Sequence, residues 1–133
     1  MSAQIVLLDD DQAALERIQY LLKQDGLAVA AFLDPMDALA ALERIQTVQL
    51  LVTSITFPAG KPHGVSVAQL TKYKRRDLQV LFIDSADLAE HTEGVGDFLA
   101  TPIEADALVA SVRTKLTRTG QLATYAASVS AAL

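Results

Sequence analysis

Apolar and polar positions fall into five successive blocks along the chain, each a short apolar run followed by a stretch with helical spacing. The runs predict strands over Gln4–Leu8, Ala28–Phe32, Leu50–Thr53, Gln79–Ile83 and Gly96–Leu99. Most are apolar throughout rather than at alternate positions, as expected of a parallel sheet covered on both faces. Between them, Gln12–Gln24 places Ala14, Leu15, Ile18, Leu21 and Leu22 on one stripe, and Gly26 stops it. Asp34 followed by Pro35 is a helix start, with Leu39, Leu42 and Ile45 as the apolar edge. A third helix is expected over Val65–Tyr73, closed by the basic cluster Lys72, Lys74, Arg75 and Arg76. A short helix over Ala86–His91 and a fifth over Glu104–Leu116, with Leu108, Val112 and Leu116 inward, complete the pattern. Five β-α units predict an α/β fold, a single (βα)5 doubly wound parallel sheet with right-handed crossovers.

Composition narrows the class. At 133 residues the chain is one domain, and 51% hydrophobic with 20% charged residues is the balance of an ordered globular protein. Aromatics make up 5% and Trp is missing, so the core must be built from Leu, Val, Ile and Ala. A net charge of −5 argues against non-specific nucleic-acid binding, which needs a basic surface. Without Cys there is neither a disulfide framework nor thiolate chemistry. The start carries no signal-peptide pattern and no apolar run approaches a membrane span, so a cytoplasmic domain is the expectation. Residues 1–117 form that domain. The segment 118–133 is a tail in which Leu122, Tyr125, Ala126, Val129 and Leu133 recur at helical spacing. It is expected either to lie on its own domain or to dock on a partner or a second copy.

Ligands of doubly wound sheets bind beyond the carboxyl ends of the strands. The first run ends in Asp9, Asp10 and Asp11, which is half of a Mg²⁺-and-phosphate site, with Asp10 or Asp11 also able to cap the first helix. The third run ends at Ser54, where such a site would need a nucleophilic carboxylate, and the fourth at Asp84. A further acid in this pocket calls for a cation or for one carboxyl that keeps its proton.

These landmarks resemble the receiver domain of bacterial two-component response regulators, over roughly Gln4 to Leu116. Leu8-Asp9-Asp10-Asp11 matches the family's acidic opening. Pro58 follows Ser54 at the family's spacing between phosphorylated Asp and Pro, and Gly64 matches the Gly that opens the third helix. Asp97-Phe98-Leu99-Ala100-Thr101-Pro102 matches the stretch that ends in Lys-Pro. The resemblance implies a flavodoxin-like strand order 2-1-3-4-5 and Mg²⁺ at Asp9 and Asp10. It also implies an aromatic switch residue at Phe98 and an output surface over Ala86–Leu116.

The departures fall on the chemistry. The phosphoacceptor position is Ser54, a poor nucleophile without an adjacent base. The family's Lys is Thr101, and its switch Thr or Ser is Asp84, or Ser85 after a shift of one residue. A phosphoryl group about 4 Å from an extra carboxylate meets roughly 4 kcal/mol of repulsion per charge pair at an effective dielectric near 20. The expectation is therefore a stand-alone pseudo-receiver, not an enzyme, that binds a signalling protein independently of phosphorylation. That protein would be a histidine kinase, a phosphotransfer protein or another receiver, and homodimerisation is open. No cofactor is required, with weakly held Mg²⁺ as the one candidate.

Two alternatives remain, a receiver with metal-dependent or Ser54-based regulation and a small hydrolase-like enzyme in the strand-end pocket. A Ser54 triad with His63 or His91 and Asp84 can be assembled on paper, but no Gly-x-Ser-x-Gly elbow is present. Two His far apart in the chain make a structural zinc site improbable. Lys61, His63 and the Lys72–Arg76 cluster read as solvated loop and helix-end residues.

Overall fold

A computed structural model describes residues 3–117. The parallel five-stranded sheet has the order β2-β1-β3-β4-β5. Its strands are β1 (Ile5–Leu8), β2 (Val29–Phe32), β3 (Leu50–Thr53), β4 (Gln79–Asp84) and β5 (Asp97–Ala100). Helices α1 (Gln12–Gln24), α2 (Pro35–Arg44) and α3 (Gly64–Lys74) follow the first three strands. A 3₁₀ helix over Ala86–Thr92 follows β4, and α4 covers 105–117. The expected class and strand order are thus observed, with strand ends displaced by one residue. Domain calls that touch 118–133, including the tail helix, lie outside the described residues.

The uninterrupted apolar runs are explained by strand geometry, because successive side chains leave opposite faces of the sheet. Ile5, Leu7, Leu50, Val52, Leu81 and Ile83 form one core with Leu15, Ile18 and Leu22 of α1 and Leu108 and Val112 of α4. Val6, Leu8, Leu51, Val80 and Phe82 form the other with Ala38, Leu42, Val67 and Ala68 of α2 and α3. Neither face is left to solvent, so neither can carry alternating polar residues.

Local signals place the helix ends. Asp11 caps α1, its carboxylate accepting from the Ala13 and Ala14 amides at 3.0 and 3.2 Å. Past α1, Gly26 adopts φ +83° while its amide donates to Lys23 and that of Leu27 to Leu22, which satisfies the free helix carbonyls. Asp34 accepts from the Met36 amide at 2.8 Å with Pro35 at the first position of α2.

The structure refines two helical stripes and corrects the reading of the basic helix end. The buried edge of α2 runs through Ala38, Ala41 and Leu42, while Leu39 and Ile45 are half-buried at its border. Small side chains on that edge let the helix lie close to β1 and β2. On α4 the buried position after Val112 is Lys115, and Leu116 stands half-buried beside it. The basic helix end is not simply solvated. Arg75 donates to the carbonyls of Leu42, Ile45, Gln46 and Val48. Lys72 reaches the Val95 carbonyl at 2.9 Å, and Lys74 pairs with Glu43 at 2.7 Å.

Candidate functional site

Asp9 follows the last residue of β1, Ser54 follows β3, Asp84 ends β4 and Thr101 follows β5, so all four stand on the carboxyl edge of the sheet. Adjacent strands in parallel register carry them to one side. The Ser54 amide donates to the Leu8 carbonyl at 3.0 Å and the Thr101 amide to the Asp84 carbonyl at 2.9 Å. Phe98 lies lower on β5, opposite Phe82, and packs half-buried against the α2–α3 core.

Asp9 is 9% exposed, with its carboxylate accepting from the Asp11 amide at 2.9 Å. Burial pushes its carboxyl up to about 6, and the charges of Asp10, Asp11 and Asp84 push the same way against that hydrogen bond. Asp10 is exposed. The two expected metal residues therefore occupy unlike environments.

Asp84 is not a free acid facing the pocket. Its Oδ2 accepts from the Ile55 amide at 2.9 Å and the Thr56 amide at 3.4 Å, and its Oδ1 from the Ser85 amide at 2.8 Å. Backbone N–H groups answer this carboxylate. Asp9 is the residue whose protonation the pocket favours.

Ser54 is 8% exposed, and its Oγ is buried without a hydrogen-bond partner among the described residues. No imidazole or carboxylate is therefore bonded to this hydroxyl. His63 Nδ1 accepts from the Val65 amide at 3.3 Å and so caps α3. The triad is not assembled.

The same contacts test the metal. Ser54 brings a neutral hydroxyl, and both Asp84 oxygens are engaged. Among the described residues no group of three or more His, Cys, Asp or Glu is placed to hold a metal ion. Mg²⁺ bound by one or two carboxylates usually relies on phosphate oxygens and water for the rest of its octahedron. Asp9, buried, and Asp10, exposed, are the two protein carboxylates such an ion would have here.

Several contacts escaped the sequence reading. His63 and His91 meet edge to face, with ring centroids 6.5 Å apart and planes at 77°. Lys61 pairs with Asp34 at 2.5 Å, tying the β3–α3 loop to the start of α2. Lys115, 4% exposed, pairs with Asp97 at 2.5 Å. A signal for Lys115 was present, since positions 108, 112 and 115 share one helical stripe. None existed for the histidine contact, which depends on how the β3–α3 loop packs against the 3₁₀ helix.

Two cavities lie elsewhere. One of about 540 Å³ opens between α2 and α3, lined in part by Met36, Leu39, Leu42, Leu70 and Arg75. Another of about 430 Å³ lies between β5 and α4, with Leu81, Phe98, Ala110 and Thr114 on its walls. Neither is lined by Asp9, Ser54, Asp84 or Thr101. No described helix is long and apolar enough to cross a membrane.

By sequence, no family model and no curated protein matches the chain. Solved structures do. A response regulator receiver domain protein from Clostridium thermocellum is 23% identical with a TM-score of 0.79, over 90% of this chain and 98% of that one. A CheY-like receiver domain protein from Methanospirillum hungatei is 18% identical with a TM-score of 0.79, over 91% and 98%. The signal receiver domain of a Luxo repressor protein from Vibrio parahaemolyticus is 23% identical with a TM-score of 0.80, over 94% and 98%. The chain has the fold of these domains.

Proposed function

We propose that this chain is a receiver domain that has lost phosphoacceptor chemistry and acts as a phosphorylation-independent protein-interaction module in two-component signal transduction. One observation carries the reading: where the third strand would end in a phosphoacceptor carboxylate, Ser54 presents a buried hydroxyl with no base bonded to it. A hydroxyl held this way is a poor nucleophile. Thr101 in place of the family's Lys removes the counter-charge, and the Asp84 carboxylate adds repulsion to an incoming phosphoryl group.

The interaction surface in this reading is Ala86–Leu116, where a 3₁₀ helix replaces a full α-helix and Phe98 lines the cavity between β5 and α4. Its partner is a histidine kinase, a phosphotransfer protein, another receiver or a second copy, met in the cytoplasm. The module needs no cofactor and catalyses no reaction.

The test is exposure to acetyl phosphate with Mg²⁺, read by intact-protein mass, and to beryllofluoride with Mg²⁺, read by amide NMR. The expected result is no phosphoryl adduct and no shift at Phe98 or along α4. An adduct on any residue of the pocket, or shifts spreading from Ser54 to Phe98, would overturn the reading.

A further inference from the structure

Backbone bonds pin the start of the loop that follows β3. The Ser54 amide donates to Leu8, the Ser54 carbonyl accepts the Thr53 hydroxyl at 2.8 Å, and the Ile55 carbonyl accepts the Gly64 amide at 2.8 Å. The next two amides, of Ile55 and Thr56, are directed at one point. Two adjacent backbone N–H groups converging this way make an anion seat. The point is occupied by Oδ2 of Asp84, from the neighbouring strand.

We propose that Asp84 is a resident internal anion: its carboxylate fills the seat formed by the Ile55 and Thr56 amides, locks the β3–α3 loop to the end of β4, and closes the seat to oxyanions from solution. Tethering gives this carboxylate an effective concentration at the seat of about the millimolar range or above, which a free oxyanion must exceed. The free oxyanion would also meet Asp9 and Asp10. The inference deepens the phosphorylation-independent reading, since a domain with its seat already filled holds one arrangement without phosphate. It rests on that reading only for its biological meaning, and the hydrogen bonds carry it by themselves.

The experiment is a sulfate titration of the full ¹⁵N-labelled chain at constant ionic strength, with amide hydrogen exchange measured alongside. In the wild type, the Ile55 and Thr56 amides should not shift. In Asp84→Ala both should shift saturably with sulfate, and both should exchange faster by about tenfold or more, having lost a charged acceptor. Asp84→Asn keeps an oxygen over the seat without the charge and should give a smaller acceleration. It also carries the comparison if Asp84→Ala does not fold. Sulfate-induced shifts at Ile55 and Thr56 in the wild type would overturn the proposal. So would unchanged exchange at both amides in the folded variants. Failure here with phosphodonors still inert removes only the lock, whereas a phosphoryl adduct on the wild type removes the earlier reading whatever sulfate does.

Discussion

A Cβ placed on Gly64 would stand 2.0 Å from the carbonyl oxygen of Ser54, so the first turn of α3 rests directly on the backbone at the end of β3. The Gly64 amide uses this closeness to reach the Ile55 carbonyl at 2.8 Å. The obstacle to any side chain is main chain, which cannot swing aside as a flexible side chain would. Gly64→Ala should therefore destabilise the domain by about 3 kcal/mol, the upper part of the range for overpacking. Urea denaturation would show it as a lower midpoint, and an unchanged midpoint would mean that α3 and β3 can separate freely.

Arg75 gathers four carbonyls from the end of α2 and the α2–β3 connection. Leu42 is one of the last carbonyls, which the helix cannot satisfy internally, and the other three lie at or beyond its end. Arg75→Ala should cost about 2 kcal/mol in urea denaturation, in keeping with charge-assisted bonds that are partly solvated. Arg75→Lys should recover little, because a single ammonium cannot span the positions that a planar guanidinium reaches.

Asp9 gives a signed pH prediction. Its carboxyl is raised to about 6 in the folded state, so folding favours its protonated form. The associated stability is fully present below the unfolded value near pH 4 and is lost as pH rises through about 6. Asp9→Asn keeps an oxygen acceptor for the Asp11 amide and removes the buried charge. It should stabilise the domain by about 1–3 kcal/mol at pH 7 and by almost nothing at pH 4. Paired urea titrations at both pH values give the difference. An equal effect at the two would show that Asp9 titrates normally.

Ser54→Ala deletes a buried hydroxyl that has no partner among the described residues. Burial of such a group without a hydrogen bond is unfavourable, so the variant should match the wild type or exceed it by up to about 1 kcal/mol. A loss of stability in thermal or urea unfolding would mean that the hydroxyl is satisfied in solution.

Much of the site was legible because it depends on strand ends. Asp9, Ser54 and Asp84 each close an apolar run, and in a parallel sheet such positions share one edge whatever the helices do. Their chemical states were not legible. Nothing in the spacing of Asp84 indicates that Ile55 and Thr56 amides would meet it, and nothing separates buried Asp9 from exposed Asp10. Within the Lys72–Arg76 cluster, read as solvated, Tyr73, Lys74 and Arg76 are exposed, but Arg75 became structural because it lies beside the end of α2.

The sequence by itself determined the layers and their order along the chain. Continuous apolar strand runs must divide between two faces, helical stripes must cover those faces, and Asp11, Gly26, Asp34 and Pro35 mark helix ends by local chemistry. Only the tertiary structure decided which polar groups meet across loops: Asp84 with Ile55 and Thr56, His63 with His91, Arg75 with the carbonyls after α2, Lys115 with Asp97. Hydrophobic burial follows a repeating pattern that one dimension can carry. A hydrogen bond depends on two atoms coming within about 3 Å in the right direction, and that is settled only when separate elements have packed.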